Sequence, residues 1–578
     1  MSSDPLPKDA VESHTDVLIV GAGPTGLALA IELSRRDIEY RLLEKNDSTV
    51  SSSRALGINP RTLQAFEDMG LLDGILAKGF RLTGQRLYRG DEQLVRLSTD
   101  SVHNDTEYPY LWILPQYDTE DALLGRLTEL GGAVEFETEV AEFDQDEDSV
   151  TARLTHTDDG NHREEIVHAS YLVGCDGGSS MVRKTLGLDF SGETRSETFF
   201  LADITVTSDW PSREALTWFH EDGIIAVLPI DGEDTWRVFA EISEVPEDER
   251  PVPTPEGVQT LLAGRTADER AEVHDIIWSS DYTVNQRMVD QYRSGNAFLA
   301  GDAAHVHSPF GAMGMNTGIQ DAYNLGWKLA LVVSGAADAT LLDTYEEERR
   351  PVAEEVLGGT GPSTGLISST NPVIEALREH VLSPLLKQER VQARLLSATT
   401  QLGINYRRSS LSQTSDVSPL DDLLDGGNLR ELVGREWQTW RAPKAGDRVL
   451  DGPCEGRGGT DISLYDELHC ESGFSLLLFT GKHEAADEVG VSVAQAVADQ
   501  VGDVVRPYRI VLDKLPSDER DVETLIDKDG TLHERYGALT PVFFVVRPDD
   551  YIGFRGAVSN TVPLDEYFNE VIGLHVNE

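Results

Sequence analysis

Residues 16–45 read DVLIVGAGPTGLALAIELSRRDIEYRLLEK. Asp16 to Val20 is a short apolar strand, Leu27 to Arg36 carries apolar residues at helical spacing, and YRLLEK is a second strand ending at Glu44. Between the first two lie Gly21, Gly23 and Gly26, a G-x-G-x-x-G turn. In such a turn the first glycine permits the bend, the second lets a pyrophosphate approach the backbone, and the third lets helix pack on strand. The helix N-terminus then offers free N–H groups and a favourable dipole to an anion. Glu44 follows at about the 20-residue interval where a carboxylate meets a ribose. The glycines alone would describe a plain turn; with the strand, helix and terminal acid they predict a bound dinucleotide. No second unit of this kind occurs, so any other nucleotide binds without its own Rossmann domain.

The chain has 578 residues, and typical domain sizes predict roughly three to four domains. Its 49 basic residues face 101 acidic ones, a formal net charge of -52. Lysine is scarce beside arginine, and the acids are spread along the chain (DQDEDS, EVPEDER, PSDERDVE). At ~1 M salt the screening length falls to about 3 Å, which quiets such self-repulsion. The expectation is a halophilic, salt-adapted protein with no nucleic-acid partner, since phosphate binding needs clustered positive charge. No run approaches a membrane span of ~20 apolar residues, and MSSDPLPKDAVESHTD has neither a basic start nor an apolar h-region. A cytoplasmic location is expected, with no membrane partner. Cys175, Cys454 and Cys470 form no CxxC pair, which argues against a disulfide framework or a zinc finger.

Two further stretches repeat the strand-then-turn pattern. YLVGCDGGSSMVRKTLG (171–187) reaches Asp176-Gly177 at a strand end, with Ser180 and Arg183 in the helical turn that follows. Alone, this describes a capped helix start. GNAFLAGDAAHVHSPFGAMGMNTGIQDAYNLGWKLA (295–330) runs from a strand to Gly301-Asp302, then through a glycine-rich turn into an amphipathic helix. His305 and His307 could face one way on an extended segment, as metal ligands would, but no third ligand stands at a recognised spacing. Packing at the helix start is expected of them, and no metal.

The ordered motifs at 21–26, 176–183 and 301–302 resemble the class A flavoprotein aromatic hydroxylases, the family of p-hydroxybenzoate hydroxylase and phenol hydroxylase. SSSRALGINPRTLQAFEDMG (51–70) is similar to the family's arginine-bearing loop and helix, and LPQYDTEDALLGRL (114–127) to its flavin-contacting glutamine segment. TYEEERRPVAEEV (344–356) is also family-like, and the resemblance runs over roughly residues 12–360. It implies bound FAD, with NADPH or NADH as a transient co-substrate. Gly21, Gly23, Pro24, Thr25 and Gly26 would hold the pyrophosphate, and Glu44, beside Lys45, the adenosine ribose. Arg54 and Gln116 would reach the phosphates and ribityl chain, Val140 would lie near the adenine, and Asp302 would bond the ribityl hydroxyls. Asp176 and Arg183 would brace the fold and the groove for NAD(P)H. Gly314, Met315 and Asn316 would present N–H groups to the pyrimidine edge of the flavin, where a helix N-terminus favours negative charge. One departure stands out. The family often has Gly-Gly-Gln-Gly before Met-Asn; here FGAMGMN places Ala312 and Met313 there, which implies a more apolar pocket.

The implied reaction is monooxygenation, in which NAD(P)H reduces the flavin and O2 forms a C4a-hydroperoxyflavin that hydroxylates a phenolic or related aromatic substrate. The cofactor carries the hard step while the protein orients the ring and excludes water. Tyr117, His220 and Tyr282 are candidate phenol bases by residue type, and Arg287 resembles a family arginine near the flavin. Pro309 and Phe310 are expected between flavin and substrate. The alternatives are a hydroxylase of polyketide or antibiotic-type substrates, a flavin-dependent reductase of the same superfamily, and a non-catalytic flavin-binding scaffold.

The expected fold is α/β: a Rossmann-like FAD-binding domain (12–190 and 285–360) interrupted by an antiparallel-sheet substrate domain (191–284). TFFLADITV, ALTWFHEDGIIAVLPI and TWRVFAEI alternate as strands with one face covered. Trp218, Phe219 and Ile225 there serve either core or pocket. Residues 361–438 read as a helical segment and linker, and 439–578 resemble a thioredoxin-like domain. Thr540-Pro541 stands where that fold usually has a cis-proline, a hairpin turns at Pro548-Asp549-Asp550, and a helix is expected near Val489 to Val501. Its redox position reads GKHEAADE without cysteine, so the domain is expected to serve assembly, with a homodimer as the default.

Overall fold

The computed structural model describes residues 11–49, 55–98, 105–158, 161–243, 250–266, 268, 270–307, 312–368, 399–415, 442–456, 459–469, 473–481, 491–492, 494–497, 502–512, 522–538, 540–558, 560 and 562–574. They fall into two compact units. One comprises Met1–Asn104, Tyr108–Tyr323 and Arg350–Leu402, the other Asp105–Glu107, Asn324–Arg349 and Gly403–Glu578. The helices used below are α1 (Pro24–Ser34), α2 (Pro60–Asp68), α3 (Leu72–Lys78), α4 (Gln116–Glu129), α5 (Met181–Thr185), α6 (Pro255–Thr266), α7 (Gly314–Val333) and α8 (Asp343–Ser368).

In the first unit, five parallel strands lie in the order Val134–Glu135, Tyr40–Leu43, Val11–Val20, Asn161–Gly174, Ala297–Leu299. Val17, Leu18 and Ile19 are fully buried, as are Leu27 to Ile31 of α1. A strand covered on both faces reads as an unbroken apolar run, which is why DVLIV does not alternate. An antiparallel pair, Thr138–Gln145 and Val150–Asp158, leads back into Asn161–Gly174.

The second sheet of this unit has eight strands: His305–Val306, Glu272–Val289, Phe190–Thr207, Thr235–Glu241, Ile225–Pro229, Glu214–Trp218, Gly84–Arg89 and Glu92–Ser98. It is larger than its expected interval, because Gly84–Arg89 and Glu92–Ser98 join it, the former parallel to Glu214–Trp218. Those two strands are mostly half-exposed and offer little apolar alternation to a sequence reading. Phe200, Ile204, Trp218, Ile225, Trp236 and Val238 pack on one face with Val258 and Leu262 of α6. Phe199, Leu201 and Phe239 lie on the other face, with Phe219, Trp278 and Tyr282 packed against them. Trp218 and Ile225 are therefore core residues, while Phe219 belongs to the opposite face.

The second unit is a mixed sheet. Phe474–Phe479, Val505–Val511 and Glu523–Ile526 are parallel neighbours, and the hairpin Val542–Val546/Ile552–Ala557 runs antiparallel beside them. The hairpin turns where the Pro-Asp-Asp signal placed it, with Asp550 at φ 59°. The Thr540–Pro541 peptide, however, is trans. Of the helix expected near Val489 to Val501, residues 491–492 and 494–497 are helical. Cys470 and all of GKHEAADE after Gly481 lie outside the described residues.

This unit buries a charge network. Glu348 accepts from Lys328 Nζ (2.7 Å), from both Arg547 terminal nitrogens (2.5 and 2.8 Å) and from Ser409 (2.7 Å). Arg547 also forks onto Asp549 (3.0 and 2.6 Å), and Asn324 bridges Glu348 and Asp549. Two cations face two anions with essentially no exposure. Burial alone would raise the Glu348 carboxyl; Arg547 and Lys328 outweigh it and hold it well below the usual range. Burial brings Lys328 down to about 8. Glu348→Gln would strand a net positive charge, a loss of about 3–5 kcal/mol, measurable by denaturant unfolding. Because the folded carboxyl titrates below its unfolded value of about 4.3, its contribution is complete above that pH and fades below it. The variant is expected to lose stability at neutral pH and to show a flatter acid limb than the parent.

Candidate functional site

The glycine turn divides its labour by position. Gly21 has φ 102°, and a Cβ there would lie 2.6 Å from the Cys175 carbonyl oxygen. A Cβ on Gly26 would lie 1.9 Å from the Gly21 carbonyl oxygen, whereas one on Gly23 would meet nothing within 4 Å. Gly21 and Gly26 are thus packed against the protein, and Gly23 faces open space. Gly23 is the N-cap of α1 without a side-chain capping bond, and Pro24 stands at N1. The first intrahelical bond runs from Leu27 N–H to Gly23 O, so the preceding N–H groups point out of the helix. The Glu44 carboxylate is tied to the turn by Ala22 N–H (3.1 Å) and to Asn46 by its N–H (3.1 Å) and Nδ2 (2.5 Å). Lys45 is exposed, and Val140 is buried opposite Leu154.

Asp176 Oδ2 accepts Met181 N–H (2.6 Å) and Val182 N–H (3.1 Å), while Ser180 Oγ accepts Arg183 N–H. These bonds build α5. Arg183 then clamps the turn, donating to Ala303 O (2.9 Å) and Gly178 O (2.8 Å) with its guanidinium 3.9 Å from the Phe190 ring centroid. Asp176 Oδ1 is buried without a hydrogen-bond partner.

At the third motif, Asp302 is exposed in the short turn Gly301–Ala303. Asp321 Oδ2 of α7 accepts Gly301 N–H (3.0 Å) and pairs with His305 Nε2 (2.6 Å), and His305 Nδ1 pairs with His307 Nε2 (2.7 Å). A carboxylate accepts, so His305 donates through Nε2 and, when neutral, accepts from His307 at Nδ1. Burial, reinforced by His305, holds His307 well below the ordinary histidine value. Three of the four ring nitrogens are committed to this chain, and His307 Nδ1 is buried without a partner. The two histidines fasten the turn to α7, and Tyr282 on the second sheet donates to His307 O (3.3 Å).

The start of α7 is locked by Asn316, whose Nδ2 donates to Gly57 O (2.9 Å) and Ala312 O (2.6 Å) and whose Oδ1 accepts Asn59 N–H (3.0 Å). Thr317 N–H to Met313 O is the first helical bond, leaving the Gly314, Met315 and Asn316 N–H groups directed outward. Ala312 sits at φ 53°, the left-handed region where the family's glycine would rest without strain. Gln116 opens α4, accepting Ala55 N–H (3.4 Å) and donating to Glu120 (2.8 Å). Arg54, Pro309 and Phe310 lie outside the described residues.

The candidate bases separate. Tyr282 meets the flavin-motif turn, and Tyr117, 40% exposed, stands beside Gln116. His220 accepts Asp222 N–H within its own turn, and Arg287 donates to Phe190 O (3.4 Å) and Thr194 Oγ1 (2.9 Å) on the neighbouring strand. Asn59 escaped the sequence reading because its partner Asn316 lies far along the chain, whereas Asp321 sits in the same stretch as Gly301 and His305 and was passed over as one more polar residue of an amphipathic helix.

Open space at Gly23, outward N–H groups at two helix starts and an exposed Asp302 together fit a dinucleotide that ends in a flavin. Residues 14–360 match the FAD binding domain family. The chain belongs to that family. It is 35% identical over 558 residues to 6-methylpretetramide 4-monooxygenase of Streptomyces rimosus, covering 95% of this chain and 92% of the relative. Among solved structures, an anhydrotetracycline hydroxylase from Streptomyces rimosus aligns at TM-score 0.73 and 30% identity, over 97% of this chain and 99% of that one. Aklavinone-11 hydroxylase, solved with FAD and aklavinone, aligns at TM-score 0.74 and 26% identity with the same coverage. This member of the FAD binding domain family is a flavoprotein monooxygenase, and FAD is its cofactor. Gly26→Ala is expected to prevent folding, whereas Gly23→Ala should give an apoprotein of unchanged circular dichroism and melting temperature that takes up FAD more weakly. Equal folding of the two variants would contradict the division of roles.

Proposed function

We propose that this monooxygenase uses NAD(P)H and O2 to hydroxylate a phenolic, polyketide-type aromatic compound. The observation that carries the reading is the bond from Tyr282 to His307 O, which brings an aromatic-lined sheet face against the FAD motifs. Relatives that act on polycyclic compounds, the pretetramide monooxygenase and aklavinone hydroxylase, support the substrate class. FAD, when bound and reduced, supplies the oxygen chemistry. The chain's own residues bind and orient. The Gly23 turn holds the pyrophosphate, Glu44 the adenosine ribose, and Asp302 the ribityl hydroxyls. Gln116, with Arg54, serves the phosphates and ribityl chain, and Asp176 with Arg183 braces the turn that NAD(P)H approaches. The N–H groups of Gly314, Met315 and Asn316 stabilise negative charge at the pyrimidine edge. The apolar sheet face excludes water, and Tyr117 and Tyr282 are the hydroxyls placed to meet a substrate oxygen.

In this reading the second unit is thioredoxin-like and serves assembly as a homodimer, supported by its three parallel strands and antiparallel hairpin. We also place the protein in a salt-rich cytoplasm. None of the helices among the described residues is long and apolar enough to cross a membrane.

Three measurements test this. Asp302→Ala removes a charge-assisted bond of about 1.5–3 kcal/mol, so FAD affinity, read by fluorescence, should fall roughly ten- to hundredfold. Wild-type enzyme should consume O2 and NAD(P)H faster with a phenolic polycycle present and return a product heavier by one oxygen; a product lacking that oxygen would instead identify a reductase. Melting temperature and FAD retention should rise with chloride salt into the molar range, as screening contracts from ~10 Å at 0.1 M to ~3 Å at 1 M. Stability that peaks at low salt would remove the halophilic assignment and leave the hydroxylase standing.

A further inference from the structure

Gln401 lies beyond the stretch that matches the FAD binding domain family, yet it is buried within the same unit, at 4% exposure. Its carboxamide makes three bonds. Oε1 accepts Asn59 Nδ2 (2.6 Å) and Gln320 Nε2 (2.6 Å), and Nε2 donates to Thr317 Oγ1 (3.0 Å). Asn59 is the N-cap of α2, its Oδ1 accepting Thr62 N–H (2.9 Å), while Thr317 and Gln320 stand in the first two turns of α7. One amide therefore ties together the starts of two helices that lie far apart in the chain.

The backbone beneath that amide is held where glutamine rarely rests, at φ 57°. A left-handed residue other than glycine persists only where its surroundings fix it, and such residues gather at active sites and ligand clamps. Here the element being fixed is the turn that opens α7. Thr317 sends both its N–H and its Oγ1 to Met313 O (2.8 Å each). Asn316, one residue earlier, bonds Gly57 O, Ala312 O and Asn59 N–H. Asn59, Thr62, Asn316, Thr317, Gln320 and Gln401 are all uncharged, so the set adds no ionic charge beside the outward N–H groups of Gly314, Met315 and Asn316.

We propose that Gln401 is a positioning residue for the flavin: its carboxamide holds the first turn of α7 in the orientation that directs those three N–H groups at the pyrimidine edge of FAD. This deepens the monooxygenase reading and rests on the placement of the N–H groups given there. Donors fixed in advance need no rearrangement when charge arrives, so they favour the reduced, negatively charged flavin over the oxidised, neutral one. Without the amide, Asn59 Nδ2 and Gln320 Nε2 lose this acceptor, and the α7 turn loses its side-chain tie through Thr317 to the α2 cap. The loosened turn must reorganise around the charge, and reduced FAD loses more affinity than oxidised FAD.

The test uses the FAD-loaded enzyme without substrate and reads two properties of the flavin. One is its two-electron potential, by equilibration with a reference dye. The other is the C2=O stretching frequency of FAD labelled with carbon-13 at C2, by infrared difference spectroscopy. Gln401→Met, close in volume but lacking the amide, should weaken reduced FAD about tenfold more than oxidised FAD, which lowers the potential by about 30 mV. The same variant should raise the C2=O frequency. Thr317→Val removes the hydroxyl that Gln401 meets while keeping its shape and the backbone bond to Met313, and should move both signals in the same direction. Leu402→Ala, buried next to Gln401 with an apolar side chain, controls for general loosening: it should lower the melting temperature and leave both flavin signals unchanged. The proposal is overturned by a wild-type potential and frequency in Gln401→Met or, should that variant not fold, in Thr317→Val. It is equally overturned if Leu402→Ala moves the signals as far as Gln401→Met does. A wild-type C2=O frequency equal to that of flavin in an aprotic solvent would remove α7 from the pyrimidine edge, and the inference with it. Failure to oxygenate any aromatic substrate would count against the hydroxylase reading and leave the role of Gln401 in place.

Discussion

At the point where the Val11–Val20 strand, the start of α1 and the end of Asn161–Gly174 converge, there is no room for a single methyl group. Gly21 lies against the Cys175 backbone and Gly26 against Gly21 itself. Interiors pack too densely for such contacts to yield, so they fix how the helix, the first strand and the strand end before the second motif meet. The parallel register Val20↔Gly174 follows, and it brings residues some 150 positions apart into one wall. Arg183 carries that wall on to Ala303, and Thr25 fills the space beside Gly301 and Gly318. Backbone contacts and the Arg183 side chain thus hold the three motif turns together.

That dependence explains which features were legible in the sequence. A backbone constraint leaves glycines at fixed intervals, and the three motifs could be read from residues 21–26, 176–183 and 301–302 alone. Phe199, Leu201 and Phe239 could be assigned to strands by alternation, although not to a face, because period two does not say which side is covered. Gly84–Arg89 and Glu92–Ser98 were missed since strands so little buried carry no strong apolar pattern. Asn59 and Gln401 were invisible for a different reason. Each completes a bond to a residue far along the chain, such as Gln401 with Asn59 (2.6 Å) and Gln320 (2.6 Å), and no local spacing encodes that. The paired histidines of AHVH, expected to pack at the helix start, tie the turn to α7.

Among the described residues, two of the buried ion pairings differ in what they join. Around Glu348 the charges balance, each is bonded several times, and the members come from α7, α8, the segment near Ser409 and the Arg547 hairpin. Such a network specifies which segments belong together, since a wrong partner would leave a charge stranded. The Asp203–Arg237 pair instead joins neighbouring strands that the ladder already holds in register. It adds no connection between segments beyond the one the ladder already makes.

The surface follows the opposite logic from both. With 101 acids against 49 bases, carboxylates outnumber cations about two to one. Where a base is present, it is often shared: Arg153 serves Glu142 and Glu164, and Arg41 serves Glu135 and Glu165. Exposed pairs contribute little at ordinary ionic strength, and the unshared acids repel one another at any distance that screening does not cover. Arg41, Arg183, Arg237 and Arg547 are held at partly or fully buried positions, where a planar fork bonds two acceptors at once. Arginine is thus concentrated where geometry matters, and the solvent face is given over to carboxylates. An acidic exterior and arginine-braced interior are two outcomes of one allocation of a small stock of positive charge.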